Sequence, residues 1–333
     1  MNKIPVTIII PVYNGSLVLG DAVKDIFEQD YQQIELIAVN DGSTDESLNV
    51  LRELAKKAPE HVTVHIIDRE NAGICAARNA GLEAATGDYV AFMDQDDRIP
   101  SDYVSNLMKA VDENTNAVIG GTVDYHPSSG KKHNRDLDPD AGWSMYRNTA
   151  PWGRLFRRSL LNEHNIRFAP TKISEDFYFN FLFLSYCGAG TVKIIEQSGY
   201  MWRIDENSES HKNMSQIAKD RDVTVILTKL LNDMREIDGS SVLTKDLFEY
   251  LMIKHIIWYL LFVSKGASRG DVKQVHDHVM TWLKENFPNY SRNPQLKISR
   301  PVGESFAIRF SVCLCVFLDK LGLLTATLRI YRL

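Results

Sequence analysis

Two hydrophobic periods alternate along the first third of the chain. Val6-Thr7-Ile8-Ile9-Ile10 is a short β-branched run, as a strand buried on both faces requires. Leu17 to Gln29 has helical spacing, and Glu35 to Val39 reads as a second strand. Ser43-Thr44-Asp45-Glu46 has the form of a capping box that opens a helix to about Lys57. Strand-like Val62 to Ile67, helical Gly73 to Ala85, strand-like Tyr89 to Met93, helical Ser101 to Glu113 and strand-like Ala117 to Gly120 complete the series. Strands alternating with helices predict an α/β fold, a mostly parallel Rossmann-like sheet flanked by helices.

The pattern then changes. From His126 to Asn148 the chain is rich in Pro, Ser, Gly, Lys and Asp, which predicts a long mobile loop over the site. Ala150 to Asn162 gathers Trp152, Arg154, Phe156, Arg157 and Arg158. Ser174 has the chemistry of an N-cap for a helix from Glu175 to about Tyr186, and Val192 to Trp202 is strand-like. Further helices are expected near 215–236, 242–264 and 271–286. This divides the chain into an α/β domain over 1–212, a helical C-terminal region over 213–295 and a tail over 296–333.

In an open α/β sheet, ligands bind beyond the carboxyl ends of the strands. The segments at those ends are Tyr13-Asn14-Gly15, Asp41-Gly42-Ser43, Asn71-Ala72-Gly73 and Asp94-Gln95-Asp96-Asp97. All are polar, and all should meet in one crevice. Three carboxylates within Asp94–Asp97 repel one another unless a cation sits among them, and carboxylate oxygens select hard ions such as Mg²⁺ or Mn²⁺. The same tetrapeptide also suits an acidic turn in which Asp97 caps the next helix. Asp41 could accept hydrogen bonds from a base or ribose, or simply serve turn chemistry.

Gly73 to Gly81 opens a helix with small residues, which permits close approach to the sheet. Its N-terminus together with Arg78 suits a phosphate, unless Arg78 is a solvated charge. Glu175-Asp176 lies in a first helical turn, where a carboxylate can be a general base or merely complement the helix dipole. Arg203 and His211 flank a polar loop; either could reach a diphosphate, and His211 could ligate metal. Trp152 and Trp202 could stack on a sugar or belong to the core.

The net charge of −5 gives no global sign of nucleic-acid binding. The four cysteines show no paired metal spacing and fit a reducing cytosol. The start of the chain lacks the features of a signal peptide. The apolar stretch Phe310 to Leu318 is far short of the roughly 20 residues of a membrane span. The tail is basic, with Lys297, Arg300, Arg309, Lys320, Arg329 and Arg332 against Glu304 and Asp319. In helical projection from Leu323 onward, Thr325, Arg329 and Arg332 share a face, and Gly322 separates this piece from the apolar helix before it. Residues 303–333 could therefore rest on a membrane surface, or pack on the protein itself or on a second copy as a homo-oligomer.

In sum, Val6 to Asn14, Val39 to Asp45, Asn71-Ala72-Gly73 with Ala77 to Gly81, Phe92 to Asp97 and Ser174-Glu175-Asp176 occur in an order and at separations that resemble the bacterial family 2 glycosyltransferases of the GT-A fold. The resemblance covers about residues 4 to 205 and implies that 1–212 is a catalytic domain, with a nucleotide-binding half over about 1–122 and an acceptor half over about 123–212. It implies an inverting transfer of a hexosyl or N-acetylhexosaminyl group from a nucleotide-diphosphate donor, UDP-linked, to an acceptor hydroxyl. It implies a donor pocket of Pro11, Tyr13, Asn14, Asp41, Asn71, Gly73, Arg78, Asp94 and Gln95. Asp94 and Asp96 match the family's DXD metal motif for Mn²⁺ or Mg²⁺, with Gln95 where Ser or Ala is usual. Asp176 matches the catalytic base, supported by Glu175. The acceptor would be a glycan, a lipid-linked saccharide or a protein. The setting would be polysaccharide, teichoic acid or glycoconjugate assembly in the cytoplasm or at the inner face of the membrane. Two other classes compete: a nucleotide-sugar hydrolase or nucleotidyltransferase on a similar sheet, and a non-catalytic protein docked by its tail.

Overall fold

A computed structural model describes residues 4–204 and 221–331. The chain divides into two compact units. The first takes Met1–Pro139, Thr149–Pro170 and Glu175–Asp205; the second takes Asp140–Asn148, Thr171–Ser174 and Glu206–Leu333.

The first unit is built on an eight-stranded sheet. Its strands are β1 (Val6–Val12), β2 (Ile34–Asp41), β3 (Val62–Arg69), β4 (Tyr89–Phe92), β5 (Ala117–His126), β6 (Lys131–Arg135), β7 (Arg154–Arg157) and β8 (Val192–Arg203). Strands β3, β2, β1 and β4 lie side by side and parallel. Every residue of β1 and β2 is buried, because helices cover both faces of a parallel sheet. The covering helices are α1 (Leu19–Phe27), α2 (Ser47–Ala55), α3 (Ile74–Ala84) and α4 (Tyr103–Met108). Gly81 of α3 shows how close that cover is: a Cβ there would come 2.4 Å from Ile9 Cγ2.

The expected fifth strand is present but does not extend the parallel series. Strand β7, unmarked by the sequence pattern, inserts between β4 and β5 and runs antiparallel to both. Residues 126–148 are not one long loop. Strand β6 forms a hairpin with the end of β5, and α5 (Ser144–Arg147) belongs to the second unit. The hairpin was hidden because β6, KKHNR, is fully exposed and has no apolar face to alternate with a polar one. Ser43–Glu46 does not cap α2, since that helix begins at Ser47 without a side-chain cap. The segment's hydroxyls and carboxylate serve the neighbouring loop instead, as described below. Ser174 does not adopt the extended backbone of a cap: its φ is 62° and its hydroxyl meets His255 Nε2 at 2.8 Å, both within the second unit.

Helices α6 (Arg158–Glu163) and α7 (Glu175–Ser185) complete the first unit. All residues of α7 from Phe177 to Ser185 are buried, as expected of a helix apolar all round. Phe179 stacks on Phe168 at 4.0 Å and meets Phe92 edge-on at 5.6 Å. This aromatic packing fixes where the first turn of α7, with Glu175 and Asp176, comes to rest.

The second unit contains α5, α8 (Val223–Asp233), α9 (Lys245–Ser264), α10 (Arg269–Asn286), α11 (Phe306–Lys320) and α12 (Leu324–Tyr331). Helix α9 is long and apolar enough to cross a membrane, with a mean hydropathy of 1.4, contrary to the expectation that no apolar stretch approaches that length. Within the unit it is a core helix whose Phe248, Leu251, Ile253, Ile256 and Leu260 are buried. Gly322, at φ 70°, separates α11 from α12 as its composition suggested.

Strand β5 shifts register against β8 between Gly120 and Thr122. A Cβ on Gly121 would lie 2.1 Å from the Glu196 carbonyl oxygen and 2.8 Å from that of Arg135. Backbone cannot move aside as a side chain can, so Gly121→Ala should cost about 1–3 kcal/mol in urea unfolding.

Candidate active site

The loops that leave the parallel strands do meet, and hydrogen bonds stitch them together. Asn14, at φ 47°, donates its backbone N–H to Ser43 Oγ at 3.0 Å and accepts the Thr44 N–H on Oδ1 at 2.8 Å. Gly15 N–H donates to Ser47 Oγ at 2.8 Å, and Ser16 N–H to Asp45 Oδ2 at 3.1 Å. Gln95 closes the loop after β4 onto the same segment. Its Oε1 accepts the Tyr13 N–H at 3.1 Å and its Nε2 donates to the Tyr13 carbonyl at 3.0 Å. Tyr13 is half exposed, and Pro11 lies buried within β1.

Asp41 has partners that its sequence context did not reveal. Its carboxylate accepts the backbone N–H of Ala72 at 3.1 Å and of Gly73 at 2.7 Å, and pairs with Arg69 at 3.3 Å. Asn71 Nδ2 donates to the Asp41 carbonyl at 2.8 Å. The amides of Ala72 and Gly73, just ahead of the first turn of α3, are thus engaged by a carboxylate of the protein itself.

Arg78 is the largest departure from expectation. Its side chain is 2% exposed, so it is not a solvated charge. One terminal nitrogen donates to Asp176 Oδ1 at 2.7 Å and the other to Asp94 Oδ1 at 3.0 Å, while the guanidinium lies over the Phe168 ring. Burial pulls the pKa of this arginine down, but Asp176 and Asp94 push harder in the other direction and leave it raised. For Asp176, burial together with Glu175 and Asp94 outweighs Arg78 and raises the carboxyl to about 7. The Asp176 carboxylate retains 29% exposure, enough to meet solvent.

Asp94 and Asp96 are partly buried, whereas Asp97 is buried and turned inward. Asp97 accepts the Tyr200 hydroxyl at 2.5 Å and the Arg203 N–H at 2.7 Å. Burial and the neighbouring Asp94 raise its pKa well above the usual range. Tyr200 Oη also accepts the Asp94 N–H at 3.1 Å, so it spans both ends of the acidic segment. Trp152 is buried, stacked on Tyr200 at 5.0 Å and on Trp202 at 6.0 Å, and therefore supports Tyr200 from within the core. Arg203 contributes its backbone N–H to Asp97. His211 lies outside the described residues.

Sequence reasoning missed Tyr200, whose only signal was its place in a strand-like run. It also left Arg154 within an undivided basic cluster. Arg154 is buried, and burial lowers its pKa to about 9 while Asp176 raises it. Its neighbour Arg157 instead donates to the carbonyls of Thr115 and Glu113.

The Glycosyl transferase family 2 model matches residues 7–183. The chain belongs to this family. It is 32% identical over 224 residues to the glycosyltransferase GlyA of Streptococcus pneumoniae, covering 62% of this chain and 31% of GlyA. It is 26% identical over 292 residues to the minor teichoic acid biosynthesis protein GgaB of Bacillus subtilis, covering 84% of this chain and 32% of GgaB. The chain thus spans about a third of the length of these curated relatives. Among solved structures, Staphylococcus aureus TarS 1–349 in complex with UDP-GlcNAc superposes with a TM-score of 0.69 at 17% identity, covering 96% of this chain and 92% of that one. That likeness establishes the fold: a GT-A sheet flanked by helices, followed by a helical C-terminal region.

Gln95 makes two hydrogen bonds to Tyr13, each worth about 1 kcal/mol. Gln95→Ala should therefore free the Tyr13 loop and lower stability by about 1–2 kcal/mol in urea unfolding.

Proposed function

We propose that this glycosyltransferase moves a sugar from a UDP-linked donor to an acceptor hydroxyl in a single inverting displacement. The observation that carries the reading is the Asp94–Arg78–Asp176 bridge. It sets the carboxylate suited to proton removal beside the acidic segment suited to the donor diphosphate.

A divalent ion fits the donor set. Asp94 and Asp96 offer hard oxygen ligands, while Asp97 is committed to Tyr200 and Arg203. Among the described residues no three His, Cys, Asp or Glu side chains form a ready cage. Two carboxylates suit Mg²⁺ or Mn²⁺, which keep coordination positions for substrate phosphates and water. Asp96 and Asp94 would hold the ion, and when bound it offsets the charge that grows on a departing diphosphate.

The protein's own groups do the rest. Tyr13, Asn14, Asp41, Asn71 and Gly73 line the loops that receive the nucleoside. Asp176 takes the proton from the acceptor hydroxyl as its oxygen attacks the anomeric carbon opposite the diphosphate, with Glu175 beside it. Arg78 acts through both carboxylates: it holds Asp176 in place and offsets negative charge around Asp94, rather than reaching outward to the donor. The UDP-GlcNAc complex of TarS supports a UDP-linked donor, and the teichoic acid biosynthesis of GgaB supports an acceptor within a cell-envelope polymer or its lipid-linked precursor.

Asp176→Asn should lower kcat by about 10²–10⁴-fold, measured as sugar transfer with a water-only control for hydrolysis. Wild-type turnover in that variant would remove Asp176 from the role. The base must be ionised to work and its pKa is raised, so kcat/KM should fall as pH drops through about 7, and this limb should vanish in Asp176→Asn.

Thermal shift with UDP and Mn²⁺ tests the donor. A ligand present at 100 times its Kd stabilises the folded state by about 2.7 kcal/mol. The shift should require Mn²⁺ and disappear in Asp96→Ala. A shift of equal size without metal would refute the ion assignment.

A further inference from the structure

Helix α11 leaves an apolar stripe uncovered. Phe306, Phe310, Leu314, Phe317 and Leu321 recur every three or four residues and so share one face. They are 62, 46, 41, 57 and 54% exposed, whereas Val312, Cys315 and Val316 on the other side of the helix are buried. Scattered exposed leucines are ordinary, but a continuous stripe of this kind marks an interaction surface.

The charges around it select the partner. The region from Lys297 onward holds two described acidic residues, and both turn inward. Glu304 is 2% exposed in its side chain, pairs with Lys254 at 2.5 Å and accepts the Trp143 indole N–H at 3.1 Å. Asp319 is 6% exposed, accepts the Tyr290 hydroxyl and pairs with Lys284 at 3.1 Å. Lys297 and Arg300 are exposed in the turn before α11, and Lys320 is exposed at the helix's end, donating to the Ser291 carbonyl at 3.0 Å, while Arg309 is half-buried and donates to the Pro301 carbonyl at 3.1 Å. Folding therefore takes both acids of this segment out of its surface and leaves Lys297, Arg300 and Lys320 as its exposed charges.

The basic face anticipated from Thr325, Arg329 and Arg332 is not the one left open. Thr325 Oγ1 meets His276 Nδ1 at 3.0 Å, Arg329 Nε donates to the Arg269 carbonyl at 3.1 Å, and Leu324 and Leu328 are buried. Arg332 lies outside the described residues.

We propose that the outer face of α11, with the turn Lys297–Arg300, docks on an anionic lipid surface. An exposed aromatic and aliphatic stripe enters the headgroup boundary, while lysine and arginine meet anionic headgroups at its edge. The inference does not depend on the donor or acceptor reading.

Flotation of the full chain with vesicles tests it, using phosphatidylcholine alone and phosphatidylcholine with about one-third phosphatidylglycerol. Binding should require phosphatidylglycerol and should weaken at least about tenfold when salt rises from about 0.05 M to about 0.5 M. The double variant Phe310→Ser/Phe317→Ser should lose binding about tenfold or more with an unchanged melting temperature. Val225→Ser, an exposed apolar residue on α8, should bind as wild type. Should the helix variant fold poorly, Lys297→Glu/Arg300→Glu, outside any helix, should weaken binding to the anionic vesicles alone.

No binding to phosphatidylglycerol vesicles, equal binding to both vesicle types, or unchanged binding in these variants would overturn the proposal. So would light scattering that shows a dimer dissolved by Phe310→Ser/Phe317→Ser without any vesicle binding. That result would identify a second copy as the occupant.

Discussion

A buried guanidinium between two carboxylates is the constraint on which the site rests. Arg78 has given up nearly all its contact with water, a costly position for a charge unless anions surround it. Asp94 and Asp176 supply that compensation from opposite sides of the chain's connectivity, one at the end of β4 and the other in the first turn of α7. Each carboxylate is in turn placed by a different part of the fold. Tyr200 anchors the backbone of Asp94, and the Phe92, Phe168 and Phe179 packing positions α7. A reciprocal pair between the Asn79 side chain and the Phe168 backbone, at 2.9 and 2.8 Å, ties α3 to the same aromatic cluster. Removing either carboxylate would leave one buried guanidinium nitrogen without its acceptor, which couples the Asp94 side of the site to the Asp176 side.

The loops around this bridge are rigid for a similar reason. Short polar side chains satisfy backbone N–H groups that turns cannot pair internally. Asp45, Ser43 and Ser47 do so for residues 14–16, Asp41 does so for residues 72 and 73, and Gln95 does so for Tyr13. Residues that look like candidates for ligand contact are in large part devoted to holding one another. That preorganisation lets a site built on loops keep its geometry.

The second unit follows a different logic. Helix α9 supplies an apolar core, and Glu304 with Lys254 and Trp143 closes one part of it. Outside that core, α11 retains an apolar face that its own unit does not cover. The two acidic residues of the region are consumed in internal pairs, so the surface charge differs from the charge counted along the chain.

Much of this was legible in the sequence. Short apolar runs and helical spacing located the four parallel strands and their helices, most plainly β1, which is buried on both faces and leaves a continuous β-branched run. The order of strands and helices then placed Tyr13, Asp41, Asn71 and Asp94 at one edge, since ligands gather beyond strand ends in such sheets. Gly322 marked the break between α11 and α12. Only the tertiary structure could reveal strand β7 between β4 and β5, the exposed hairpin of β6 and the inward turn of Asp97. It alone paired Gln95 with Tyr13 and Arg78 with Asp176, partners 82 and 98 residues apart. The physical reason is the same in each case. Local spacing reports which face of an element is buried, whereas the partner of a polar side chain depends on which distant segment the fold brings within hydrogen-bond reach.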